Sequence, residues 1–563
     1  MRQRACLTNL PLRRYNTADM ALAPDPHPRS VPSNTRRIAG ATGLMMTAIL
    51  ASRLLGLVRN AVISHQFGQK FWADVYYGAF QIPDLLFYLI AGGALSSAFI
   101  PVFTEYITKE RYEEAWHIFS TVACVMFVAV GAFVLLGEIF AAPLVRLVNP
   151  GFQSIPGKVE ATVPLTRIVL PAQICFFLGG LLMGTQYSQQ KFLIPALGPI
   201  IYNLGIIFGG IVLAPLAGVA GLCWGALGGA IAGNFALQLW AVARSGMRFR
   251  PSFDWRHPDV VKVWKLMLPV VLGVALPQVS IWINRAFASG LGNGPMAALS
   301  NANQFMQVPL GIFAQAMAVA IFPTLSALAA QGKYGELRDT ASYGIRALLF
   351  LTIPASVLMI VLAVPIVQLL LQGGRYGPDD TALAASALAY YCIGIFAWSA
   401  QSILARTFYA LQDSLTPVVI GTGVTFLFIP MNWLLMKPMG IRGLALATTI
   451  AASLHVFVML GVLSRRLGGF QIRRMAASLT KTLCASAVAA FVSLKAASLV
   501  GGPGTGTITH VKLHALVVLV VAGGSGVLAY ALAARILKIE EMHSAIAFLR
   551  RRRSAGVAEA SGS

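Results

Sequence analysis

The sequence predicts an all-α polytopic membrane protein of about fourteen transmembrane helices. They form two pseudo-symmetric six-helix lobes, with two further helices at the C-terminal end. Three observations lead there. Apolar residues make up 57% of 563 and charged residues only 11%, with a mean hydropathy of +0.72, too little charge to cover a soluble protein of this size. Apolar stretches of about 18 residues or more, enough to cross a bilayer, recur along nearly the whole chain. Sequence motifs also recur at a fixed offset, which marks an internal duplication.

Residues 1–37 are polar and rich in Arg and Pro, a composition that reads as a disordered basic tail. Six spans are expected near 38–66, 72–104, 115–147, 163–190, 192–215 and 217–243, which together make a first lobe over 38–243. A basic, partly amphipathic connector follows at 244–261. A second lobe, 262–466, holds spans near 262–291, 296–329, 339–372, 381–411, 415–436 and 440–464. Residues 467–537 add spans thirteen and fourteen, and 538–563 form a second basic tail. The loops are short and carry Gly or Pro, as in GLGNGP (290–295) and GGRYGP (373–378), so neighbouring spans run antiparallel.

The duplication rests on three pairs. Tyr187, Gln190, Leu193 and Pro195 share the pattern Y-x-x-Q-x-x-L-x-P with Tyr409, Gln412, Leu415 and Pro417, at an offset of 222. Pro101 and Pro323 keep that offset, and Gln81-Ile-Pro83 resembles Gln307-Val-Pro309 at 226. Repeated halves packed about a shared site are the usual build of alternating-access transporters.

The formal charge of +23 does not point to nucleic acid. Most Lys and Arg fall in the tails and alternate loops of one side, the positive-inside pattern, which places both termini in the cytoplasm. Tracts such as Arg550–Arg553 suit the anionic headgroups of the lipid bilayer. The six cysteines are scattered without a CxxC pair or His/Cys cluster, so neither a disulfide framework nor a metal site is expected. No Walker A, G-x-S-x-G or H-E-x-x-H pattern appears. A transporter without cofactors is expected, driven by an ion gradient, the membrane potential or consumption of its product.

Polar groups inside the spans are the candidate site. Arg53 and Arg59 interrupt the apolar first span, where a charge costs a few kcal/mol or more unless it meets protein or water. Two arrangements fit them. One is ion pairing with Asp74 or Asp84 of the second span. The other is a cavity for an anion, since the planar guanidinium donates paired hydrogen bonds to phosphate oxygens. Asn301, Asn303, Gln304 and Gln307 put an amide strip in the eighth span, and Arg285 and Arg406, near span ends, read as snorkelling side chains.

Several segments resemble the MurJ (MviN) family. They are Ser52-Arg-Leu-Leu-Gly-Leu-Val-Arg59, Phe67-Gly68, Ala73-Asp74, Ala79-Phe-Gln-Ile-Pro-Asp-Leu-Leu86, Ala98-Phe-Ile-Pro101, Gln307-Val-Pro-Leu-Gly-Ile-Phe313, Phe322-Pro-Thr-Leu325 and Phe408-Tyr-Ala-Leu-Gln-Asp-Ser-Leu-Thr-Pro417. The likeness spans roughly residues 40–466. It implies the fold of the multidrug/oligosaccharidyl-lipid/polysaccharide exporter superfamily in a bacterial cytoplasmic membrane. It also implies transport of lipid II, or a related polyprenyl-pyrophosphate-linked sugar, from the inner to the outer leaflet, beside cell-wall synthesis enzymes as possible partners. Arg53, Arg59 and Asp74 match the family's functional positions in its first two helices; Asn303 and Gln304 join them as substrate-binding candidates, with Asp84, Arg285 and Arg406 behind. The chain departs from the family's charged pattern at Phe87, Tyr88, Gly92, Gln304 and Leu411, which implies a less cationic cavity.

Overall fold

In hydrocarbon every backbone N–H and C=O must find a partner within the protein, and this chain meets that demand with helices. The computed structural model describes residues 33–88, 94–501 and 508–542. The expected tails therefore lie largely outside the described residues, as do Gly92 and Gly93. Among the described residues eleven helices are each long and apolar enough to cross a bilayer, and Pro378–Ile393 with Ile395–Ala410, bent by 43°, makes a twelfth. The other two expected spans fall partly beyond description. The second runs as Phe71–Leu86 and Ala94–Thr108 on either side of residues 89–93, and the seventh is the 31-residue helix Pro258–Ala288, whose side chains at 268–278 are not described. The first helix starts at Ser33, five residues before the expected boundary at 38.

The duplicated loops match in backbone detail. Gln190 and Gln412 both take positive φ, +58° and +61°. Each is followed by a matched bond, Lys191 N–H to Gln186 O at 2.8 Å and Asp413 N–H to Phe408 O at 3.0 Å. Arg111 N–H to Tyr106 O and Lys333 N–H to Leu328 O, both 3.0 Å, repeat the offset of 222, as do the third and ninth spans, Tyr112–Ile139 and Tyr334–Val361. Pro309 also acts as expected of a helix proline: the turn after it, Leu310–Ala314, is a π-helix.

The fifth and sixth spans, Leu193–Ala217 and Val219–Ala243, touch backbone to backbone. A Cβ on Gly205 would lie 2.6 Å from Gly225 O, and one on Gly209 would lie 2.4 Å from Gly221 O. This is the small-residue packing that lets membrane helices approach without side chains between them. Gly225→Val is therefore expected to lower the melting temperature, since its Cβ would lie 2.4 Å from Gly205 O and overpacking costs about 1–3 kcal/mol or more. Gly228→Val is the control, because nothing lies within 4 Å of a Cβ there. Equal melting of the two variants would refute the close packing.

The end of the bundle away from Ser33, where the first helix starts, is where the two halves of the chain are sewn together. A Cβ on Gly68 would meet Arg375 O at 2.5 Å, on Gly151 Gly290 N at 2.2 Å, on Gly294 Gln69 O at 2.2 Å, and on Gly374 His65 O at 2.3 Å. Arg375 N–H donates to His65 O (2.9 Å), and the Tyr376 hydroxyl donates to Gln69 Oε1 (2.9 Å). At the opposite end side chains make the bridges: the Tyr106 hydroxyl donates to Asp259 at 2.5 Å, and Lys262 pairs with Glu105 at 3.3 Å.

Candidate functional site

Ser52, Gly56, Arg59 and Asn60 recur at helical spacing, so they share one face of the first helix. Measured along that helix to Phe67, Arg59 lies about 12 Å and Arg53 about 21 Å from its far end. Arg59 Nη1 donates to Asn203 Oδ1 of the fifth span at 3.1 Å, and its Nε and Nη2 donate to the neighbouring Asn60 Oδ1. Asn60 Nδ2 in turn donates to Asn301 Oδ1 (3.0 Å) and Gln304 Oε1 (2.5 Å) of the eighth span. The Tyr77 hydroxyl, from the second span, donates to the same Asn301 oxygen at 3.1 Å, and Asn203 Nδ2 returns a bond to Ser52 Oγ at 3.3 Å. Side chains from four spans and both halves of the chain thus meet in one polar seam.

Two glycines make room for it. A Cβ on Gly56 would stand 3.1 Å from Gln304 Nε2, and the space a Cβ would take at Gly311 is filled by the Arg53 guanidinium. Arg53 is exposed and Arg59 half-buried. Neither has a carboxylate within ion-pair distance among the described residues, because the two carboxylates expected nearby are engaged elsewhere.

Asp74 is fully buried and pairs with Lys158 Nζ at 3.0 Å. Its two oxygens also accept the N–H groups of Gly294 (2.7 Å) and Ala297 (2.9 Å), which open the eighth span at Pro295. A side chain of the second span therefore caps a helix of the other half, where a negative charge is favoured. Lys158 donates further to Gly292 O and Asn293 Oδ1, both at 3.1 Å. Asp84 pairs with Arg285 at 3.3 Å, so Arg285 is not the snorkelling residue that its place near a span end suggests. Arg406 lies 5.8 Å over the Phe322 ring, and Asn303 accepts from Gln307 on its own helix at 2.6 Å. Of the sequence-derived candidates the fold gathers Arg53, Arg59 and Gln304; it holds Asp74, Asp84, Arg285, Asn303 and Arg406 in other contacts.

Sequence reasoning missed Asn203, Tyr77 and Lys158. Asn203 had a usable signal, a lone amide in the apolar run of the fifth span. Lys158 had none, since a lysine at a span end reads as an interfacial anchor until the fold carries it to Asp74.

Residues 63–513 match the family described as "Lipid II flippase MurJ"; Arg53 and Arg59 precede that range. The chain is 29% identical over 423 residues to the "Lipid II flippase MurJ" of Burkholderia cenocepacia, covering 74% of this chain and 82% of that one. It is 31% identical over 429 residues to the "Probable lipid II flippase MurJ" of Vibrio cholerae, covering 74% and 81%. Among solved structures, "Lipid II flippase MurJ, inward closed conformation" matches with a TM-score of 0.72 at 22% identity, over 88% of this chain and 99% of that one. An inward-facing multidrug resistance MATE family transporter of the MOP superfamily matches with a TM-score of 0.61 at 15% identity, over 74% and 94%. These two carry the fold alone, but the family match spans most of the sequence: the chain belongs to the MurJ lipid II flippase family.

Proposed function

We propose that this chain is a lipid II flippase of the bacterial inner membrane, a multi-pass transporter and not an enzyme. It moves the undecaprenyl-pyrophosphate-linked peptidoglycan precursor from the inner to the outer leaflet by alternating access. The observation that carries the reading is the polar seam of the first span: two guanidinium groups without carboxylate partners among the described residues, at the contact between halves of a duplicated bundle. Guanidinium forks held by neutral amides and not by carboxylates suit a pyrophosphate, whose oxygens accept paired, charge-assisted bonds. Arg53 and Arg59 hold the substrate in this reading, with the amides of Asn60 and Asn203 orienting Arg59 and Gln304 holding Asn60. The lobes, 38–243 and 262–466, rock about that seam, and spans thirteen and fourteen flank the second lobe. Both termini lie in the cytoplasm, so the end sewn by glycines faces outward. An ion gradient or the membrane potential supplies the drive.

Depletion of the protein in its own cells tests this. Lipid II is expected to accumulate in the inner leaflet and to return to the outer leaflet when the wild-type chain is supplied again. Accumulation of a different polyprenyl-linked sugar would remove the substrate assignment, and no accumulation would remove the transport reading.

A further inference from the structure

The duplication supplies an internal comparison at the end of the bundle where the first helix starts. The loop between the fourth and fifth spans corresponds to the loop between the tenth and eleventh, and the sixth and twelfth spans end beside them. At the offset of 222, Lys191 corresponds to Asp413, Ile194 to Thr416 and Arg244 to Arg466. The backbone is alike, as the positive φ of Gln190 and Gln412 shows, but the chemistry is not.

In the second half the position is anionic. The Asp413 carboxylate accepts the Thr416 N–H (2.9 Å), the Thr416 hydroxyl (2.6 Å) and Arg466 Nη1. The Thr416 hydroxyl and N–H, helped by Arg466, hold its carboxyl down at about 2. A negative charge thus caps the first turn of the eleventh span and neutralises the arginine that ends the twelfth. In the first half Lys191 stands where the carboxylate would be. Lys191 Nζ donates to Ser245 Oγ at 2.8 Å, and the Arg244 guanidinium lies 4.5 Å over the Trp240 ring. Neither has a carboxylate within ion-pair distance among the described residues. The adjoining cavity holds Glu110 and Glu113; Glu113 is taken by Arg248 at 2.8 Å, and Glu110 lines that cavity and not the one that holds Lys191 and Arg244. Lys191 and Arg244, with Phe192, Ile194, Trp240 and Ser245, line a cavity of about 350 Å³.

We propose that this cavity binds the phosphate of an anionic phospholipid headgroup, which supplies from outside the charge that Asp413 supplies in the other half. The phosphate oxygens accept from the Arg244 fork and the Lys191 ammonium. Its charge also lies where the first turn of the fifth span favours an anion. The rim favours a lipid over a soluble anion: Leu193 and Trp240 are 53% and 49% exposed beside the site, and tryptophan with apolar neighbours at a span end marks the membrane interface. The acyl chains would run along the apolar outer face of the fifth span, past Leu204, Phe208 and Ile211.

Native mass spectrometry of the full-length protein in detergent tests the site, with titrations of phosphatidylglycerol, phosphatidylcholine and inorganic phosphate. Phosphatidylglycerol is expected to bind preferentially and saturably. Lys191→Asp, which installs the carboxylate of the other half opposite Arg244, is expected to weaken it about tenfold or more by removing one charge-assisted contact. The melting temperature of this variant in neutral lipid should hold or rise. Arg244→Gln should weaken binding without adding a carboxylate, and serves if the first variant folds poorly. Equal binding of the two lipids, or wild-type affinity in Lys191→Asp, would overturn the proposal. Inorganic phosphate binding as tightly as the lipid, and displacing it, would overturn the headgroup assignment.

Discussion

Lys158→Met is expected to destabilise the protein by about 3–5 kcal/mol, the cost of breaking a buried ion pair from one side. Lys158 and Asp74 are both fully buried, and the ammonium also holds Gly292 O and Asn293 Oδ1. Without it the carboxylate keeps only the N–H groups of Gly294 and Ala297, and the loop before the eighth span loses its two bonds from the ammonium at once. Membrane protein levels and thermal melting in detergent should both fall sharply. Adding Asp74→Asn should recover most of the loss, because removing both charges is far cheaper than stranding one. If Lys158→Met melts like the wild type, the pair does not hold this joint. Transport by the stable double variant then decides about Asp74. Full activity makes it structural, whereas a stable but inactive protein would bear out the functional role that the family resemblance implies.

Arg59→Ala is expected to give the opposite pattern: transport falling by about a hundredfold or more, with protein levels unchanged. Two charge-assisted hydrogen bonds to a pyrophosphate, each worth about 1.5–3 kcal/mol, account for a loss of that size. Stability should hold because the partners of Arg59 are the neutral amides of Asn60 and Asn203, so no charge is stranded in the bundle. Arg53→Ala should behave likewise, and lysine at either position should restore only part of the activity, keeping the charge but losing the planar fork. Complementation of a flippase-depleted strain, with membrane protein quantified in parallel, reads both quantities. Wild-type growth on Arg59→Ala would remove the arginine from the substrate site.

The contrast between these two positions reflects what could be read from the chain in advance. The helical bundle was legible because a bilayer filters sequence by length and apolarity, and the repeat because Tyr187 to Pro195 and Tyr409 to Pro417 are local patterns. Arg53 and Arg59 stood out for the same reason, as charges inside an apolar run. Asp74 stood out equally, yet nothing local says that its partner is Lys158, 84 residues away, and not an arginine of the first span. Burial and pairing are properties of the assembled bundle, and they depart from the local reading at both Arg53 and Arg285: the one inside its span is exposed, and the one near a span end is tied to Asp84. Asn203 gave a signal of its own, a lone amide in an apolar run, but one that is easily read as local, since such an amide most often bonds its own backbone, as Asn203 also does with Pro199 O.

The four glycine contacts that sew the halves together set the terms on which they can come apart. What meets there is peptide against peptide: Gly68 on Arg375 O, Gly151 on Gly290 N, Gly294 on Gln69 O and Gly374 on His65 O. At the glycines themselves no side chain lies between the two chains, but the joint around them also buries Phe67, Met296 and Tyr376, so separating it forfeits part of the hydrophobic term. The amides and carbonyls laid bare would find water at once, at a location where the bundle ends and water begins, and trading one hydrogen bond for another is nearly neutral. The seal therefore shuts tightly because no side chain holds it ajar at the glycines, and what sets its resistance to opening is the buried charge pair beside it, Lys158 and Asp74, whose bonds to Gly292, Asn293, Gly294 and Ala297 must break for the halves to part.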